Sequence, residues 1–193
     1  MIIGGSLTLG GGGGDAPTTA RLVNLIPNSS FEKDNGWAGV TYDNTQALFG
    51  KRSSKLAAEG TVMNNITMPS PIVGHTYYGR HSFKTNGNAN PADCRFEWYA
   101  GDGEGLNFVF GWNRGDYPQW YTESAVIPVT SVLGTSYYIR NFTVNSGAEV
   151  WCDGLMIVDL TEAFGAGNEP SKEWCDDNIP YFEGTFLCFM GDR

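Results

Sequence analysis

The residues that could carry out chemistry are few and widely separated in this chain. His75 and His81 are its two histidines. Within TYYGRHSFK, strand alternation puts His81 on one face with Tyr77, Gly79 and Phe83, so it reads as a core or interface histidine rather than a general base. Neighbouring carboxylates occur at Asp102 and Glu104, in a turn, and at Asp176 and Asp177, near a helix end, where solvation or capping accounts for them. No serine stands in a nucleophile-elbow pattern. The five glycines Gly10, Gly11, Gly12, Gly13 and Gly14 are followed neither by Gly-Lys-Ser/Thr nor by a helix signal, which removes a phosphate-cradling loop. Cys94, Cys152, Cys175 and Cys188 lack the spacing of a zinc site or a disulfide framework and read as free, mostly buried thiols. No enzymatic constellation emerges, and the chain is expected to be non-enzymatic.

A binding site for sugars has more support. The stretch GWNRGDYPQWY sets Trp112, Tyr117, Trp120 and Tyr121 beside Asn113, Arg114 and Asp116. Flat rings with adjacent hydrogen-bonding groups suit the apolar faces and hydroxyls of saccharides, and Trp112, Asn113, Arg114 and Tyr117 are the candidate carbohydrate-binding residues. Nucleic acid is excluded as a partner by the formal charge of −9, spread along the chain, since phosphate binders present a basic stripe. The nearest approach to one, Lys51, Arg52 and Lys55, reads as a solvated strand end. No run reaches the roughly 20 apolar residues that span a bilayer. The start MIIGGSLTLGGGGG lacks the basic head and long apolar centre of a secretion signal, so the expected place of synthesis and residence is a cytoplasm.

These side chains must be positioned by β-structure. Over residues 21–160, RFEWYA, LNFVFGW, WYTESAVIPV, SYYIRNFTV and AEVWCDGLMIV are short runs rich in aromatic and β-branched residues, separated by turn chemistry such as NGNANPADC, AGDGEG, NRGDYP and NSGA. The pattern predicts an all-β fold, an antiparallel sandwich or jelly roll. With 193 residues the chain has length for one principal core, and most of its 13% aromatic residues must fill that core or subunit contacts. Residues 161–193 change grammar. Thr161 is placed to cap a single turn stopped by Gly165; Asn168 or Glu169, with Pro170 in the first turn, starts a helix that Pro180 stops, followed by an irregular tail. So short a helix must pack on a surface, with Trp174 and Phe182 as anchors. Residues 1–20 form an extended glycine-rich arm with almost no side chains to bury, so its ordering is expected to come from a neighbouring subunit.

The segments NLIPNSSFEKDNGW, ALFGKRSSKLAAEG, VGHTYYGRHSFKTNG and EVWCDGLMIVDL resemble, in order, the signatures of the carbohydrate-binding-module type of β-sandwich jelly roll, over about residues 22–160. The closing DLTEAFGAGNEPSKEWCDDNIPYFEGT resembles the tail that follows such jelly rolls in structural proteins of tailed bacteriophages: tail-fibre, minor tail and capsid-associated proteins. The resemblance implies that Trp120 is a core residue. It also implies a structural calcium where Glu32 meets Asp153, two carboxylates that can equally well accept hydrogen bonds from turns. The expectation that follows is a bacteriophage virion protein. It would be a capsid decoration or head-fibre subunit, or alternatively a tail-fibre or baseplate subunit, assembled in the host bacterial cytoplasm. Its partners would be other virion proteins, copies of itself and bacterial or mucus glycans.

Overall fold

A computed structural model describes residues 19–57, 62–87, 94–101, 106–113, 117–131, 134–143 and 147–189. The glycines of the expected arm, Gly10 to Gly14, lie outside the described residues, as do Asp102, Glu104, Arg114 and Asp116. The strands run in order β1 (Thr19–Val23), β2 (Thr41–Asp43), β3 (Ser53–Ala57), β4 (Val62–Met68), β5 (Thr76–Thr85) and β6 (Cys94–Gly101). They continue with β7 (Leu106–Asn113), β8 (Tyr121–Pro128), β9 (Tyr137–Thr143) and β10 (Glu149–Asp159). Two short helices, α1 (Leu160–Phe164) and α2 (Lys172–Asn178), and a last strand, β11 (Thr185–Phe189), follow.

Two antiparallel sheets form the sandwich, one ordered β2-β3-β10-β5-β8 and the other β4-β9-β6-β7. Alternation drives their association. Phe96, Trp98 and Ala100 of β6 and Tyr137 and Ile139 of β9 face Tyr77 and Phe83 of β5 and Val150, Cys152, Leu155 and Ile157 of β10 in one buried cluster. The expected all-β antiparallel sandwich of jelly-roll type is therefore what the chain forms.

Strand β10 departs from alternation because it is covered on both sides. Every residue from Val150 to Asp159 is buried, the Val, Cys, Leu and Ile positions in the sandwich core and Met156 and Val158 in a second cluster behind the sheet. A register shift between Asp153 and Met156 moves the inward set from Val150 and Cys152 to Leu155 and Ile157. Gly154 permits it with φ +62°, and a Cβ there would lie 2.4 Å from the Phe49 ring.

The second cluster is built by the chain ends. Ala20 and Leu22 of β1, Leu160 and Phe164 of α1, Cys175 and Ile179 around α2 and Cys188 of β11 close over Tyr78, Met156 and Val158, with Trp174, Phe182 and Phe186 packed against them. Trp174 meets Phe164 edge-on at 5.8 Å and Phe182 stacks with Phe186 at 5.3 Å. The C-terminal segment thus lies against the outer face of the five-stranded sheet. Asn24 fastens it: its Nδ2 donates to the Leu155 and Phe182 carbonyls at 3.0 and 3.1 Å, and its Oδ1 accepts from Ile157 N at 3.2 Å. Glu183 Oε1 accepts from Ser30 N and Oγ at 2.9 and 2.7 Å.

Three local expectations change. The tail is not irregular throughout, because Thr185–Phe189 pairs antiparallel with β1, Thr19 opposite Phe189 and Val23 opposite Thr185. Residues 19 and 20 accordingly belong to β1, and Ala20 is buried within it. The caps also shift. Asp159 rather than Thr161 caps α1, accepting from Glu162 N at 2.9 Å, because the Thr161 hydroxyl is engaged by Thr76 N at 2.9 Å and Glu169 Oε1 at 2.5 Å. Ser171 rather than Asn168 or Glu169 caps α2, accepting from Trp174 N at 3.2 Å, and the helix ends at Asn178 with Ile179 as its C-cap, just ahead of Pro180.

Candidate functional site

Among the sugar-binding candidates, Trp112 and Asn113 are the last residues of β7, in register with Phe96 and Arg95 of β6. Arg114 lies outside the described residues. Tyr117 is fixed at the mouth of β5 and β8: its N–H donates to Thr85 Oγ1 at 2.9 Å and its carbonyl accepts from Thr85 N at 2.7 Å. Its ring stacks on Tyr121 at 4.2 Å and meets Phe83 edge-on at 5.6 Å, so part of it serves the core. Trp120 is half-buried.

Glu32 and Asp153 hold turns. Asp153 is fully buried at the β10 bulge, where Oδ2 accepts from Leu48 N and Phe49 N and Oδ1 from Gly154 N, each at 2.8 Å. Burial pushes its carboxyl up to about 6, with the three N–H groups pulling the other way and the Glu32 charge adding to the rise. Glu32 Oε1 accepts from Lys51 N and Arg52 N at 2.8 and 3.0 Å. A calcium ion takes six to eight oxygens. Among the described residues no group of three or more acidic, His or Cys side chains converges here, so a calcium ion at this place would need backbone carbonyls to complete its ligands beside Glu32 and Asp153.

The histidines are structural. His81 is fully buried between Phe83 and Phe96, stacked on them at 5.3 and 4.6 Å, with Nε2 3.7 Å from Glu123 Oε2. His75 Nδ1 lies 2.7 Å from Asp159 Oδ2, and the other Asp159 oxygen caps α1, so this pair fastens the start of β5 to the end of β10. Lys55 and Arg52, expected to be solvated, are paired with Glu149 and Asp34, each at 2.6 Å. Cys152, Cys175 and Cys188 are buried thiols that take part in no disulfide. No described helix is long and apolar enough to cross a membrane.

A constellation not singled out in the sequence lies on the four-stranded sheet. Residues alternating with the core set of β6 and β9 are Glu97, Tyr99, Tyr138 and Arg140, which the register places opposite one another: Glu97 with Arg140, Tyr99 with Tyr138. The tyrosine rings stack at 5.5 Å, and the Arg140 guanidinium lies 4.4 Å from the Tyr99 ring while its Nε donates to Glu97 Oε2 at 2.5 Å. Glu97 is 2% and Arg140 9% exposed, whereas Tyr138 remains partly open. Burial pushes the Tyr99 phenol up, with Arg140 drawing it back. This is a floor of rings and fixed charges on the side of the sheet turned away from the core. The signal available in the sequence was the alternation within RFEWYA and SYYIRNFTV, but the cross-strand partners are 39 to 43 residues apart.

No protein-family model matches the chain, and no curated protein matches it in sequence. Similarity to solved structures is in the fold. A family 16 carbohydrate-binding module superposes with TM-score 0.56 at 17% identity, covering 69% of this chain and 99% of that one. A xylan-binding domain of family 22 gives TM-score 0.51 at 14% identity over 74% of this chain and 96% of that one. The enzymatically active domain of the bacteriophage CBA120 tailspike protein 4 gives TM-score 0.51 at 14% identity, covering 70% of this chain and 21% of the other. The fold is thus that of the carbohydrate-binding-module β-sandwiches.

Proposed function

We propose that this protein is a non-catalytic glycan-binding module whose ligand lies along the outer face of the β4-β9-β6-β7 sheet. The observation that carries the reading is the Glu97–Arg140 pair set against the Tyr99–Tyr138 stack. Burying two charges costs more than an apolar pair of similar volume, so the pair is weakly motivated by stability. Beneath the two rings it serves as a fixed support, the guanidinium set against Tyr99, so that the partly open Tyr138 ring is held as an apolar platform for the face of a sugar. The five-stranded sheet cannot serve in this way over most of its outer face, which the chain ends cover. Fold similarity to carbohydrate-binding modules supports the same class. The test is binding to a panel of soluble xylan, glucomannan and mixed-linkage glucan by calorimetry, for the parent chain and Tyr138→Ala. Binding that the substitution reduces at least tenfold is expected. No binding to any polysaccharide, or binding unchanged by the substitution, refutes the reading.

A second reading concerns where the module works. The closing segment's resemblance to phage structural proteins, together with the fold similarity to part of a phage tailspike, favours a virion structural protein. In that reading the arm bearing Gly10 to Gly14 docks a capsid decoration or head-fibre subunit onto other virion proteins, with tail fibre or baseplate as the alternative location. Copies of the chain contact one another, and assembly occurs in the host bacterial cytoplasm. Because β1 begins at Thr19, the informative deletion is residues 1–18. Particles should then lose the protein, and co-sedimentation at full occupancy would remove the arm as the anchor. Cross-linking of the arm to a major capsid protein or to a tail protein decides the location.

A further inference from the structure

One guanidinium on the outer face of the five-stranded sheet has no described carboxylate against it. Alternation along β5 puts Tyr78, Arg80, Ser82 and Lys84 on this face, and Arg80 stands in register with Ser124 of β8 and Met156 of β10. The alternate residues of β8, Tyr121 and Glu123, fall on the core side with Phe83 and His81, and the Glu123 carboxylate lies 3.7 Å from His81 Nε2. Edge strand β8 and helix α2 border a cleft of about 350 Å³ here, and its outer-face lining is Arg80, Thr122, Ser124, Lys172 and Asp176. That volume is at the small end of the roughly 300–1,000 Å³ typical of small-ligand sites.

The charges of α2 cancel each other. Asp176 Oδ2 accepts from Lys172 Nζ at 2.6 Å, and its Oδ1 accepts from Tyr78 OH and Ser124 Oγ at 2.8 and 2.6 Å. Half-buried Arg80 makes one hydrogen bond among the described residues, from Nη1 to the Ile179 carbonyl at 3.2 Å. A carbonyl carries no net charge, so the cleft keeps one positive charge, and most of the five N–H donors of Arg80 are left over. A planar guanidinium fork matches the two oxygens of a carboxylate, which makes an acid its natural partner. The rest of the lining is hydroxylic: the Thr122 hydroxyl lies 2.8 Å from Ser82 Oγ, and Ser124 stands across from Arg80. An uncharged ligand would leave the guanidinium without a counter-charge, and an apolar one would also strand the hydroxyls.

We propose that this cleft binds a sugar acid, its carboxylate forked on Arg80 and its hydroxyls on Thr122 and Ser124. The carboxylate follows from Arg80; only the choice of a sugar acid rests on the glycan-binding reading above, and the residues are separate and on the opposite sheet. The experiment titrates glucuronate, glucose and inorganic phosphate against the full chain while following the amide resonances of Thr122 and Ser124 and the ring resonances of Tyr138. Glucuronate should shift both amides, in the parent and in Tyr138→Ala alike. Binding should weaken at least tenfold in Arg80→Met and by less in Arg80→Lys, which keeps the charge and loses the fork, with melting curves checking that each variant folds. Unweakened binding by a folded Arg80→Met overturns Arg80 as the anchor. An equal response to glucose overturns the ionic basis on the parent chain alone, and a response to phosphate in place of glucuronate overturns the carboxylate. Shifts at Tyr138 alone, or none at all, overturn the cleft. Amide shifts in a chain that binds no polysaccharide uphold the cleft and refute the sheet face.

Discussion

Raising the pH from 4 to 7 should weaken this fold at one buried carboxylate. Asp153 has its carboxyl raised from 3.8 to about 6, chiefly by burial. The folded chain therefore holds this proton more tightly than the unfolded chain does. The stabilising effect is complete below pH 3.8 and is lost as pH rises through about 6. Each tenfold difference in proton affinity between the folded and unfolded chain is worth about 1.4 kcal/mol, so the contribution changes by about 2 to 3 kcal/mol between pH 4 and pH 7. Other groups titrate in the same window, which a comparison with Asp153→Asn cancels. The amide keeps an oxygen for Leu48 N and Phe49 N and carries no charge at any pH. Unfolding free energies from urea denaturation at pH 4, 5, 6 and 7 should show the parent losing about 2 to 3 kcal/mol relative to the variant across the series. A difference that stays constant with pH would refute the assignment, and one of opposite sign would mean that the three N–H groups outweigh burial.

Three further outcomes follow from the packing. Gly154→Ala should cost about 2 to 4 kcal/mol by denaturant unfolding, from the left-handed backbone and the clash with Phe49 together. Adding Phe49→Ala should relieve the clash without restoring the backbone component. Deleting residues 179–193 removes β11 from β1 and uncovers Tyr78, Met156 and Val158, so the shortened chain should bind ANS and lose most of its cooperative melting. Arg140→Met leaves Glu97 buried without its cation and should cost about 3 to 5 kcal/mol, while Arg140→Met with Glu97→Leu should return to parent stability yet lose glycan binding in calorimetry.

The strands of the sandwich were legible because alternation is a local property: TYYGRHSFK placed Tyr77, His81 and Phe83 together, and all three are buried. What escaped was set by distant partners. TFLCF is short and follows Gly184, and its strand character depends on β1, more than 160 residues away in sequence at the Arg21–Thr185 contact, where the separation is 164. The cap of α1 moved from Thr161 to Asp159 because Thr76 and Glu169 compete for the threonine hydroxyl, a tertiary fact. The site was missed for the same reason: Glu97, Tyr99, Tyr138 and Arg140 look ordinary until the pairing of β6 with β9 sets them side by side. The aromatic loop drew attention because its rings are close in sequence, yet Tyr117 spends much of its surface on the core.

The two outer faces of the sandwich bear opposite solutions to the same problem. Behind the five-stranded sheet, Tyr78, Met156 and Val158 are apolar or capped by Asp176, and the chain brings its own ends to cover them. That covering explains why β10 reads as a continuous apolar run and why the C-terminal segment carries so many aromatic residues. The four-stranded sheet instead places rings and a charge pair at the positions facing away from the core, where an apolar set would have served stability better. That cost is what the proposed glycan-binding reading accounts for, since a saccharide itself joins apolar faces with hydroxyls. The same logic explains the boundary between the two regimes: where the covering layer stops, at edge strand β8, polar groups return, with Ser124 hydrogen-bonded to Asp176 and Arg80 to the Ile179 carbonyl.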